Sequence, residues 1–154
     1  MSDQDIHTTA EAHEASAMPR AHAVLADPEA PGTAEQEPLP EAMTRHPLSE
    51  KSPAQWAYER LILYLKKFEE SLDAEHEVAV GFAGSDVGVL RIEGLGYFAP
   101  DIVTFYGQDD SLQKLQLIQH VSQLNVMLSA VPKASGDGKA RRIGFRLVQD
   151  LDGD

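Results

Sequence analysis

Between Ala54 and Leu72 apolar side chains recur at Ala54, Tyr58, Leu61, Leu65, Phe68 and Leu72, at steps of 4, 3, 4, 3 and 4. That rhythm is one face of an α-helix. Ser52 is a good N-cap, Pro53 suits the first helical position, and Gln55 would close a Ser-x-x-Gln capping box. Glu69, Glu70 and Asp73 oppose the helix dipole at the far end, so the helix is expected to fray around Ser71 to Ala74. Trp56, Ile62 and Leu63 fall beside or off the stripe. They are either clasped by the same domain, which is the preferred reading, or form a second face for a partner or a second subunit.

After the helix the period shortens to two. Glu77 to Phe82 alternates and is rich in valine, so it reads as a strand, and Gly84-Ser85-Asp86 reads as a turn. Val87 to Glu93 reads as a second strand, with Val89 and Arg91 on one face and Leu90 and Ile92 on the other. Gly94 and Gly96 inside an apolar run mark a bulge or bend, and Pro100 interrupts the run. Asp101 to Gly107 resumes as a strand, Gln108 to Ser111 turns, and Lys114 to Gln119 is its nearest partner.

Residues 112–131 carry two rhythms. Leu117, Val121, Leu124, Leu128 and Val131 make a helical stripe, whereas Leu124, Val126, Leu128 and Ala130 alternate. A helix there gives a helix–sheet–helix layer. Two strands with a short turn at His120 to Gln123 give a small closed barrel, the preferred reading. Arg142 to Val148 is expected as a final strand, with Ile143, Phe145 and Leu147 on one face. The fold class is therefore α+β: an N-terminal helix packed on a small antiparallel sheet or an SH3/Sm-like barrel.

The first fifty residues have neither rhythm. All ten aromatic residues lie after position 51, and six of the nine prolines lie before it. Residues 1–50 hold 2 basic and 10 acidic side chains, against 11 and 15 in residues 51–154, so the leader supplies most of the net charge of −12. Such a segment buries too little apolar area to offset an ordering cost of about 1–2 kcal/mol per residue. The expected organisation is a disordered acidic tail over 1–50, with at most transient helix at 9–18, an α+β domain over 51–150 and an acidic end at 151–154. The tail histidines His7, His13, His22 and His46 match no metal-ligand spacing.

Two resemblances follow. The runs Lys51 to Arg60, Asp101 to Gly107 and Gln119 to Asn125 resemble an uncharacterised bacterial domain family of unknown function, covering about residues 50–150. That likeness implies no activity, cofactor or catalytic residue. The order of helix, bent strand at Gly94, strand at Asp101, short turn and Gln119-His120-Val121-Ser122 is similar to that of Sm-like barrels. In the RNA-chaperone members of that family a Lys-His pair before the last strand helps bind RNA. Here Gln119 stands before His120, so the lysine is missing and only His120 carries over.

Composition narrows the chemistry. With no cysteine there are no disulfides, thiolate nucleophiles or Cys-based zinc sites. The glycine-rich run 81–88 lacks the Gly-Lys-Ser/Thr of a phosphate loop and reads as a hairpin turn. Asp101, Asp109, Asp110 and His120 are within reach of one another across a hairpin, but no catalytic pattern names a residue. The most distinct charge feature is residues 133–146, where Lys133, Lys139, Arg141, Arg142 and Arg146 face a single acid, Asp137. It is either a solubilising loop or, with His120, an anion- or partner-binding patch. An acidic chain is a poor general nucleic-acid binder, since phosphate neutralisation needs local positive charge.

The sequence therefore points to a cytoplasmic, non-enzymatic interaction or assembly module with a regulatory tail, without cofactor, metal or membrane span. Its expected partner is a protein or a second copy of itself. A nucleic-acid module and an enzyme with an unrecognised site are the alternatives.

Overall fold

A computed structural model of the chain describes residues 21–83, 88–134 and 138–153. The expected transient helix at 9–18, His7 and His13, the turn at 84–86 and the middle of the basic loop at 135–137 lie outside the described residues. The chain divides into two units, Met1–Lys51 and Ser52–Asp154.

In the first unit the described elements span three or four residues each: 3-10 turns at Ala34–Gln36 and Leu48–Glu50, and one α-helical turn at Glu41–Thr44. They are held locally. The Thr33 N–H donates to Gln36 Oε1 at 2.9 Å, the Gln36 amide donates to the Ala23 carbonyl at 3.0 Å, and the Lys51 ammonium donates to the Met43 carbonyl.

The second unit opens with helix α1, Pro53–Glu70. Ser52 Oγ accepts the Gln55 N–H at 3.1 Å, as the N-cap reading requires. The capping box forms only by half, because the Gln55 amide donates to Glu59 at 3.0 Å instead of turning back to Ser52. Ser71 ends the helix, as the misplaced acidic residues foretold. The expected stripe lies in the core: Ala54 and Leu65 are buried, and Tyr58, Leu61, Phe68 and Leu72 pack partly buried beside them.

Five antiparallel strands follow: β1 His76–Phe82, β2 Val89–Phe98, β3 Ile102–Gln108, β4 Lys114–His120 and β5 Val126–Pro132. Their order in the sheet is β4-β3-β2-β1-β5. The β2–β3 register shifts between Ile92 and Gly94, which is the bulge expected at the glycine. One sheet face supplies Val78, Val80, Leu90, Ile92, Leu95, Val103 and Phe105 to the core under α1, with the Phe82 and Phe105 rings edge to face at 4.9 Å.

Residues 112–131 thus form two strands joined through a 3-10 turn at Val121–Gln123. These consecutive strands occupy opposite ends of the sheet order. In a flat sheet four steps of about 4.8 Å would hold them about 19 Å apart. The connector 121–125, with three residues rising only about 2 Å each, does not comfortably span that distance. The sheet therefore curls toward a barrel. It does not close: among the described residues no ladder joins β4 to β5.

The last element corrects the sequence reading. Residues 143–153 are a helix, α2 (Ile143–Gly153), not a strand. The strand reading rested on the alternation Ile143, Phe145, Leu147, yet Phe145 is 56% exposed. The spacing that folds is Ile143, Leu147, Leu151, a helical repeat of four that packs on the core with Val148. One edge of β1 is already taken by β5 over seven residue pairs. Among the described residues no helix is long and apolar enough to cross a membrane.

Candidate functional site

The basic residues of 133–146 do not form one free patch. The Arg142 guanidinium donates to the carbonyls of His76 at 2.7 Å and Asp73 at 2.8 Å, closing the α1–β1 connection against the start of α2. Arg141 lies 3.1 Å from Glu93, and its backbone N–H donates to the buried Glu77 carboxylate at 2.6 Å. Lys133 sits 3.4 Å from Glu75. Lys139 and Arg146 are exposed and carry no ion pair among the described residues. The fold thus brings Arg141 and Arg142 to acceptors about 50 to 70 residues upstream, a pairing that local sequence does not display.

His120 lies at the other end of the domain, where β4 meets the 3-10 turn. Its Nε2 is 3.2 Å from Asp101, and its Nδ1 is 2.7 Å from the Ser122 hydroxyl and 3.1 Å from the Ser122 backbone nitrogen. Two donors on Nδ1 make that nitrogen the acceptor and leave the ring proton on Nε2, aimed at Asp101. The Val121 N–H donates to the Asp101 carbonyl at 2.7 Å, a second tie between the same two turns. Asp, His and Ser are in contact order, but Nδ1 is occupied in capping its own turn, so the chemistry they perform is that of a clasp. Asp109 and Asp110 are at the opposite end of β3, where Asp109 accepts from the backbone of Ser111 and Gln113.

The other expected residues lie on α1. Ile62 has no exposed surface, Trp56 keeps 6%, and Leu63 is half-buried. The Arg60 guanidinium stands 5.7 Å from the centre of the Trp56 ring.

Sequence reasoning did not single out two further features. The first is the pair of free strand edges. β5 runs Val-Met-Leu-Ser-Ala-Val-Pro with no charge and no register shift against β1, and its Met127 is 70% exposed. On β4, Ile118 is 62% exposed. The second is a cleft of about 540 Å³ among Tyr58 of α1, Glu93, Gly94 and Leu95 of β2, and Arg146 and Asp150 of α2. The bulge at Gly94 was legible; a helix opposite it was not, because residues 142–148 read as a strand.

One carboxylate joins the helices. Glu69, 4% exposed near the end of α1, accepts the Phe145 N–H at 3.2 Å, so it caps the start of α2. Burial pushes its pKa up, against the backbone N–H groups of Gly144, Phe145 and Ile143 and the charge of Arg142, which pull it down. Exposed Asp73 is held below its ordinary value, first by its hydrogen bond with His76 at 2.7 Å and then by the Glu75 N–H.

Residues 51–146 match the model of a family of unknown function, DUF6173. The chain belongs to DUF6173. The DUF6173 match takes in α1, all five strands and the first residues of α2, and so includes the clasp, both open edges and the β2 side of the cleft. No curated protein and no solved structure matches the chain.

Proposed function

We propose that this DUF6173 domain is a non-enzymatic interaction and assembly module, and that copies of it associate through the edges of β4 and β5. The uncharged, unbulged edge of β5 carries the reading. An edge strand offers unpaired N–H and C=O groups, and monomeric proteins blunt such edges with charges, prolines or bulges. In β5 the only such device is Pro132 at the end. β4 has the same length, seven residues, with one lysine at its start, so the two edges match as a ladder between copies. A β4-to-β5 contact is head-to-tail, and gives a ring where the rotation closes.

In this reading the acidic leader is regulatory, and its charge is screened by salt within about 10 Å at 0.1 M. Cytoplasmic residence is part of the same proposal. We rank a nucleic-acid module below it: the likeness in element order to Sm-like barrels supports it, but Lys133, Arg141 and Arg142 spend their charge on their own chain.

The test is sedimentation of the full chain over a concentration series at low and high salt. Mass should rise with concentration, more so at high salt, and Ile118→Lys or Met127→Lys should hold the chain at monomer mass. A wild-type chain that stays monomeric throughout overturns the proposal.

A further inference from the structure

Strand β2 has a second free edge, apart from those of β4 and β5. It pairs with β1 only at Val89, Leu90 and Arg91, but with β3 from Arg91 to Phe98. β1 meanwhile continues along β5 as far as His76. Beyond the bulge, then, the side of β2 that had faced β1 carries no ladder among the described residues. The 540 Å³ cleft opens there, with β2 residues Glu93 to Leu95 on one wall and α2 on the other.

The two walls are chemically distinct. A strand edge without a ladder presents backbone donors and acceptors that need partners. On α2, Ile143, Arg146, Leu147 and Asp150 fall at i, i+3, i+4 and i+7, so one helical face meets the cleft. Leu147 and Leu95 make it apolar at depth, and both are at least 92% buried. Arg146 and Asp150 have no ion pair among the described residues. They are four residues apart, a rise of about 6 Å along the helix. Alternate residues on one side of an extended strand are separated by about 6.7 Å. An acidic and a basic side chain two residues apart on a strand thus match Arg146 and Asp150 in both charge and spacing. The volume lies within the range of about 300–1,000 Å³ of ligand sites.

We infer that this cleft is a peptide groove: an extended segment of a partner protein adds its backbone to the free edge of β2 at Glu93–Leu95, and an acidic and a basic side chain two residues apart pair with Arg146 and Asp150. Backbone pairing supplies affinity and the two charges fix register and direction. Glu93 is already held by Arg141, so the charges left to read a segment are those of Arg146 and Asp150.

The probes are two capped pentapeptides, Val-Glu-Val-Lys-Val and its reverse in charge, Val-Lys-Val-Glu-Val, titrated to millimolar concentration into the ¹⁵N-labelled full chain. One should shift the amides of Glu93, Gly94 and Leu95 together with those of 146–150, and the other should bind more weakly. Arg146→Glu should weaken the preferred peptide at least tenfold. The double exchange Arg146→Asp with Asp150→Arg should transfer preference to the other peptide. Both positions are exposed, so these variants fold, as circular dichroism will verify. Absence of shifts at Glu93–Leu95 with either peptide overturns the inference. So does an equal response to free glutamate plus lysine, or a preference that the double exchange leaves in place.

Discussion

Replacing Gly144 by alanine places a methyl group where helix α1 already stands. An ideal Cβ at this position lies 2.5 Å from the Lys66 nitrogen and 2.8 Å from both the Leu65 carbonyl carbon and Lys66 Cα. Carbon contacts relax at about 3.5–4.0 Å, so about 1 Å must be found. All three obstacles are backbone and no side chain can rotate away. α2 must therefore back off, and Ile143 and Leu147 leave the core with it. Forced overpacking of this kind costs about 1–3 kcal/mol. Alanine offsets part of that, because it is the better helix former by at most about 1 kcal/mol, and by less in the first turn.

The expected net is a loss of about 1–2 kcal/mol for Gly144→Ala, read as a urea midpoint lowered by on the order of 1 M with unchanged slope. The sign is diagnostic. If residues 142–148 were the strand that alternation suggests, alanine would be neutral or stabilising there, since glycine weakens strands. A raised midpoint would refute both the helix–helix approach and the packing argument built on it.

Two further variants probe the joint between the helices. For Glu69, burial sets the folded pKa above the unfolded one, so the folded chain keeps the proton to higher pH and wild-type stability falls as pH rises from the ordinary glutamate range through the raised folded value. Glu69→Gln should lack that fall, so its thermal midpoint should gain on wild type across that window; parallel pH profiles would refute the assignment. Arg142→Ala removes two charge-assisted hydrogen bonds to carbonyls, and a loss of about 2 kcal/mol is expected in the same urea assay, whereas a change under about 0.5 kcal/mol would show that solvent replaces both bonds at little cost.

What could be read from the chain were the features whose cause is local. Ser52 and Pro53 start α1 by chemistry within one turn, and the strand periods read over 77–82, 87–93 and 101–107 follow from which face meets the core, although β2 runs on to Phe98. Gly94 marked the bulge as a glycine inside an apolar strand run, and the β2–β3 register does shift there, between Ile92 and Gly94. The failure at 142–148 has a physical root. Ile-Gly-Phe-Arg-Leu satisfies a period of two and a period near four together, and the choice depends on a surface the segment does not contain, the backbone of Leu65 and Lys66. The candidate site was legible at Asp101 and His120, which face each other across one hairpin, and illegible at the cleft, whose walls come from segments about 50 residues apart.

The same distinction governs the charge run at 133–146. Five cations within fourteen residues become an anion site only if the fold keeps acidic groups away from them. This fold delivers Glu75 from the turn before β1, and Glu77 and Glu93 from the strands, to Lys133 and Arg141, and spends Arg142 on backbone carbonyls. Exposed pairs contribute little stability, about 0–1 kcal/mol each, but they remove much of the local potential an anion would feel. Among the described residues the surface also keeps unpaired backbone and exposed apolar groups: the edges of β4 and β5, the free side of β2, and Ile118 and Met127. Groups of that kind are recognised by another strand. The binding capacity that the proposed assembly draws on is thus geometric more than electrostatic, which is what pairing with another strand requires.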